Sequence, residues 1–240
     1  MAEILGTPGN DELSDEILVA ENDSIFGLEG NDTIMSWAGN DSIFGNQGND
    51  NLSSWLGDDV VFGGKGDDTI TGSLETGNHQ FFGNLDADWL SGGGGNDSLF
   101  GGQANDVIFG GEGNDLVSGD KGDDTISGDQ GNDFVSGGEG NDLLQGAEFF
   151  NFGFGEIDTL VGGAGLDTFI LDDPDFYVGS GNNDFALIAD YNPTEDTISV
   201  SSLEDLVISD IDLGFGVGAG IFNQSNDLIA FLQGISADEL

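Results

Sequence analysis

The sequence predicts an all-β solenoid, and three observations carry the prediction. A nine-residue pattern returns seventeen times between residues 6 and 170, an apolar residue holds the eighth place of every unit, and Gly with Asn or Asp fills the places between. Self-similarity this dense marks an architecture in which each short unit stacks on its neighbours. Within a unit, places seven to nine predict a short strand. β-Branched and aromatic residues gather there, and only the middle side chain is reliably apolar, as a period of two requires. The other six places predict a turn, where Gly adopts backbone angles that a Cβ forbids.

Units start at residues 6, 18, 27, 36, 45, 54, 63, 74, 83, 92, 101, 110, 119, 128, 137, 153 and 162. Place six is Asp in sixteen: Asp11, Asp23, Asp32, Asp41, Asp50, Asp59, Asp68, Asp88, Asp97, Asp106, Asp115, Asp124, Asp133, Asp142, Asp158 and Asp167. The formal net charge is −45, with two basic side chains, Lys65 and Lys121, against 47 acidic ones. Self-repulsion on this scale opposes any compact state, and salt bridges cannot relieve it, which leaves cations from solution. Turn carbonyls and Asp carboxylates facing one another across layers form an all-oxygen nest that suits Ca2+, so folding and calcium binding are expected to be one event. Nucleic acid and anionic membranes, which are bound through Lys and Arg, are poor partners. No apolar run is long enough to span a membrane.

The runs GGKGDDTIT, GGGGNDSLF, GGEGNDLVS and GGEGNDLLQ resemble the GGxGxDxUx nonapeptide of the RTX, or haemolysin-type calcium-binding, repeat. That nonapeptide is a signature of calcium-binding parallel β-helices. The resemblance implies a right-handed parallel β-roll over residues 6–170 with two units per turn. It also implies calcium held between turns by the place-six Asp and turn carbonyls, with at most fifteen ions if every contact were filled. It further implies a secreted, extracellular or cell-surface protein, exported uncleaved by a type I exporter. The start, MAEILGTPGN, lacks the basic and apolar regions of a cleaved signal peptide, as that route predicts.

The pattern breaks in four places. Residues 15–17 interrupt the first two units. GSLETGNHQFF at 72–82 is two residues too long and puts His79 where Asp belongs, read either as a decayed calcium half-site with an exposed His or as a site for a softer metal. Asp86 stands at place four in GNLDADWLS. The stretch 146–157 inserts seven residues and gathers Phe149, Phe150, Phe152 and Phe154, either as a plug folded on the roll or as a partner-binding tip. Beyond residue 170, DFALIADYNPTEDTISV predicts strand, turn and strand, and DLIAFLQGIS another strand. Residues 171–240 are therefore expected to cap the last layer and, by resemblance, to carry the export signal.

With two units per turn, residues eighteen apart stack. One column of place nine then reads Phe26, Phe44, Phe62, Phe82 and Phe100, with Trp37 and Trp55 expected at its edge. This row either stiffens the sheet or offers a face for self-association or attachment. No nucleophile motif, Cys or second His is present, so no enzymatic activity is expected. A structural, surface-associated or adhesive calcium-binding protein is the leading reading. A stand-alone binding module for a polysaccharide or a partner enzyme is an alternative. An ice-binding roll is a further one, although Thr occupies place three only at Thr76.

Overall fold

The computed structural model describes residues 3–14, 21–75, 77–146, 156–171, 185–200, 206–213, 216–222 and 228–240. The four-Phe stretch, Thr76 and the 15–17 interruption lie outside these. The described strands form two sheets, one of thirteen strands and one of ten, and successive strands of the roll alternate between them. The long sheet contains Ser24–Glu29, Ser42–Gln47, Val60–Lys65, Gln80–Leu85 and Ser98–Gln103, and the short sheet contains Thr33–Met35, Asn51–Ser53, Thr69–Thr71, Trp89–Gly94 and Val107–Glu112. All pairings within the roll are parallel. Ser42 pairs with Val60, and so with a residue eighteen further on, which makes two units one turn. The offset grows to twenty across the 72–73 insertion (Val60 to Gln80) and to twenty-five across the 146–157 insertion (Phe134 to Thr159) without loss of register. Extra residues are thus expelled into turns, because a slip inside a strand would turn its apolar residue outward.

Place eight supplies the core. Ile25, Ile43, Val61, Phe81, Leu99, Val117, Val135 and Leu160 line the long sheet and face Ile34, Leu52, Ile70, Leu90, Ile108, Ile126, Leu144 and Phe169 from the short one, all buried. Leu13, in the first layer, is half-buried and packs against them.

Many strands run six residues rather than the three predicted. They continue past place nine through places one to three of the next unit, as in Ser42–Gln47. What allows this is the residue at place two, which takes a positive φ: Leu28 at 85°, Asn46 at 78°, Gly64 at 119° and Asn84 at 84°. That angle bends the chain while keeping it paired with the next layer.

The stacking also continues past residue 170. Phe185–Ile188 pairs in parallel with Ile157–Ala164, and Thr197–Ser199 with Thr168–Ile170. The two strands either side of Asn192-Pro193 therefore join different sheets as one more turn. Leu228–Gln233 follows in parallel on the long sheet, and Val217–Phe222 and Val207–Asp212 complete it antiparallel. Phe185, Phe222, Leu228 and Phe231 form a second small core there.

Truncating a core stack residue leaves a cavity that neighbouring layers cannot close. Leu99→Ala is expected to lower the unfolding free energy of the calcium-loaded protein by about 2–5 kcal/mol, and Leu13→Ala by distinctly less. Urea denaturation measures both, and equal losses would contradict the layering.

Candidate metal centre

The place-six Asp side chains are buried inside the turns; Asp32, Asp59, Asp106, Asp124 and Asp167 are each 1 % exposed. Their position follows from a ladder of hydrogen bonds. Except at Asp59, the backbone N–H of an Asp in the ladder donates to Oδ1 of the Asp one turn further on: Asp32 to Asp50 at 2.8 Å, Asp50 to Asp68 at 2.8 Å, Asp88 to Asp106 at 2.8 Å, Asp106 to Asp124 at 2.7 Å and Asp124 to Asp142 at 2.9 Å. The Asp backbone carbonyl accepts the next layer's place-seven N–H, as in Thr125 to Asp106 at 2.9 Å. One carboxylate oxygen and both backbone groups are thereby committed to stacking.

The second oxygen is not. Oδ2 is buried without a hydrogen-bond partner in Asp32, Asp41, Asp50, Asp59, Asp68, Asp88, Asp97, Asp106, Asp115, Asp124, Asp133, Asp142 and Asp167. Beside it lies the place-one Gly in eleven of these, and a Ser beside Asp41 and Asp59. A Cβ added at Gly128 would stand 2.6 Å from Asp133 Oδ2 and 2.9 Å from the Gly146 carbonyl oxygen of the next turn. The same Oδ2 and next-turn carbonyl face Gly27, Gly45, Gly63, Gly83, Gly92, Gly110 and Gly137. Each such cradle joins one carboxylate oxygen to a carbonyl oxygen, an oxygen donor set fitted to a hard divalent cation. Among the described residues no three or more His, Cys, Asp or Glu side chains converge as a metal cluster. That agrees with a centre assembled from one carboxylate per layer and backbone carbonyls.

Electrostatics point the same way. Leaving a buried acceptor unpaired costs about 1–3 kcal/mol, and more when it is charged, so thirteen such oxygens outweigh the roughly 5–15 kcal/mol net stability of an ordinary domain. Without a cation the turns hold protons instead. Desolvation, reinforced by neighbouring carboxylates, pushes Asp106 up to about 7, Asp88 to about 8 and Asp133 to about 9. The ion pair between Lys121 and Glu139, 3.1 Å apart, is exposed and relieves none of this.

The sequence profile of the RTX calcium-binding nonapeptide repeat matches four copies, at residues 19–52, 56–74, 82–117 and 109–144. The roll belongs to the RTX repeat family. A search of curated proteins gives no match to the chain. RTX repeats bind multiple Ca2+ ions, and the cradles of this RTX roll fit that ion.

Two edges of the roll differ. Along the edge where the chain passes from the long sheet to the short, all nine loops from Gly6–Asp11 to Gly162–Asp167 keep Gly at place one and Asp at place six. Asp86 and Ala104 replace Gly at place four there and still adopt φ 71° and 81°. Along the other edge the pattern holds at Gly92–Asp97, Gly110–Asp115, Gly128–Asp133 and Gly146–Asp158. Three consecutive loops before these depart from it. Ser36 and Ser54 take place one, so a Cβ stands where the cradle needs Gly, and their hydroxyls, like Oδ2 of Asp41 and Asp59, are buried without a hydrogen-bond partner. Trp37 and Trp55 at place two stay out of the positive-φ region, and the strands before them, Thr33–Met35 and Asn51–Ser53, stop after three residues.

His79 stands in the third of these loops and is buried, not exposed as expected, at 1 % exposure. It takes the place of an Asp in the ladder. Its Nδ1 accepts the Asp59 N–H at 3.3 Å, and its own N–H donates to Asp97 Oδ1 at 2.6 Å. Burial lowers its pKa, which keeps the ring neutral. The ring edge lies 2.9–3.0 Å from the points where a Cβ on Gly72 or Gly77 would stand. Imidazole therefore occupies the space a cation would need; the ladder uses its Nδ1, while Nε2 is buried without a hydrogen-bond partner.

Trp37 and Trp55 also need correction. They border Met35, Ser53 and Thr71 on the short sheet, whereas the Phe row belongs to the long one, because a place-two residue follows the strand of the preceding unit. Phe26, Phe44, Phe62, Phe82 and Phe100 do stack, at 4.8–5.3 Å with 5–10° between rings. A ladder member that the repeat spacing missed is Asp196, whose Oδ1 accepts the Asp167 N–H at 3.2 Å. The only sequence signal was Asp-Thr-Ile-Ser at 196–199, a place-six to place-nine run shifted by the longer connection before it.

Folded-state pKa values near 6–9 lie above the unfolded Asp value of about 3.9, so the metal-free roll binds more protons than the unfolded chain across that window. Its stability is greatest below about pH 4 and falls as pH rises through about 6–9. Circular dichroism in chelator is expected to show β-structure lost from about pH 5 to pH 8, and calcium addition at about pH 5, where the protonated roll persists, to release protons. A metal-free roll equally folded at both pH values would contradict this.

Proposed function

We propose that this chain is a secreted calcium-dependent structural protein, delivered unfolded and made rigid by Ca2+ outside the cell, where it serves at or near a surface. The observation that carries the reading is the row of buried Asp Oδ2 atoms without partners. A chain with this row has no stable compact state at neutral pH until cations fill it, so its folding is switched by the calcium level of its surroundings.

The ligands are the place-six Asp residues, each through Oδ2, and the place-one carbonyls of the following turn. Ions sit between consecutive complete loops: eight along the edge with nine such loops and three along the edge with four. This is below the fifteen the sequence allows, because the Ser36, Ser54 and His79 loops fill their own cradles. The resemblance to exported RTX proteins supports type I secretion. The carboxylates are committed to the ladder, which supports a role without catalysis. The Phe rings cover one another, which favours stiffening of the long sheet over self-association through it.

Native mass spectrometry with calcium is expected to count about eleven bound ions, the sum of the eight and three sites between complete loops. Asp106→Asn should remove one or two of these and shift the calcium midpoint of folding upward, whereas Asp41→Asn should leave the count unchanged. A full count in Asp106→Asn would overturn the ligand assignment.

A further inference from the structure

The three departing loops share a second property: they build a groove. It encloses about 640 Å³ over the outward face of the short sheet and crosses three successive layers. Met35, Ser53 and Thr71 form its floor, one from each layer, and Trp37, Trp55 and Leu74 rise from the loops. The two indoles lie 4.9 Å apart and are tilted by 39°, unlike the parallel Phe rings. Trp55 is 42 % exposed and Leu74 83 %. Tryptophan at place two forgoes the backbone angle of a calcium loop, and serine at place one fills the cradle; both changes recur eighteen residues apart. The edge has exchanged metal cradles for apolar side chains over this stretch and no other among the described residues.

We propose that the groove binds a neutral saccharide chain lying along the axis of the roll. Indole faces pack against the C–H faces of sugar rings while remaining compatible with water; the Ser53 and Thr71 hydroxyls, hydrogen-bonded to each other at 3.0 Å, the Ser73 hydroxyl, which donates to the Trp55 carbonyl, and the Glu75 carboxylate keep lone pairs on the lining for sugar hydroxyls. The layer spacing of about 4.8 Å repeats the same wall along the axis, which suits a polymer over a compact ligand. Charge narrows the class. The lining has no Lys or Arg, and the net charge, −45 without metal and still strongly negative with about eleven Ca2+ bound, repels carboxylated or sulfated chains, anionic lipid and a second copy of this chain alike. A fatty chain needs most of its surface enclosed, and this groove is open along its outer side.

The test uses the full chain loaded with calcium, its fold verified by circular dichroism, so failure of calcium-driven folding is seen separately. Intrinsic tryptophan fluorescence is followed during titration with soluble oligosaccharides of glucose, mannose and N-acetylglucosamine, and with oligogalacturonate as the anionic control. At least one neutral oligosaccharide is expected to shift the emission, with at least a tenfold affinity loss in Trp55→Ala and in Leu74→Asp. Leu74 is exposed, so its variant keeps the test valid if Trp55→Ala fails to fold. No response to any neutral sugar, tighter binding of oligogalacturonate, or unchanged affinity in Leu74→Asp would overturn the proposal.

Discussion

The rest of the structure depends on one carboxylate shared between layers. Along the roll a place-six Asp accepts with Oδ1 the backbone N–H of the place-six residue in the preceding turn and, in a complete loop, keeps Oδ2 for the cradle beside a Gly. The first contact fixes the stacking register of the turns. The second demands a cation, because a buried carboxylate oxygen with neither proton nor partner is too costly to keep. Other features follow from this arrangement. Place one must be Gly where the cradle is to stay open, places two and four must accept a positive φ, and one apolar residue per strand suffices because the ions contribute what so thin a core cannot.

The layers and their register were legible in the sequence because both rest on strict spacing. An Asp at place six and an aliphatic at place eight recur at nine residues, and the Phe row at eighteen showed that two units make a turn. Properties that depend on backbone conformation were harder to read. Strand length was underestimated, since extension past place nine depends on the left-handed residue at place two, which Leu28 or Asn46 does not advertise. The Trp pair was assigned to the wrong sheet, because numbering by unit hides the fact that places one to three belong to the strand of the preceding unit. His79 looked like a decayed and exposed site, whereas an imidazole nitrogen can accept the same N–H that a carboxylate oxygen does. Asp196 escaped because the connection before it breaks the count while the stacking goes on.

The two edges show how a repeat can diverge without losing its fold. The hydrogen-bond ladder tolerates His79 and passes through Asp41 and Asp59 unchanged, so the ladder and the cradle are separable. Ser36 and Ser54 alter only the cradle. Nine complete loops on the opposite edge hold the layers together while this edge is free to vary. At the C-terminal end, an extra roll turn is followed on the long sheet by one parallel and two antiparallel strands and a small Phe-rich core, so the long-sheet edge of that turn is paired.

Amide hydrogen exchange of the intact chain at about pH 7.5, in chelator and in millimolar calcium, bears most directly on the coupling of the Asp ladder to calcium. Ladder amides such as those of Asp50, Asp106 and Asp124 are expected to exchange at unfolded-chain rates in chelator and to become protected together as calcium is added. Ladder amides that stay protected in chelator, with no metal bound, would contradict that coupling.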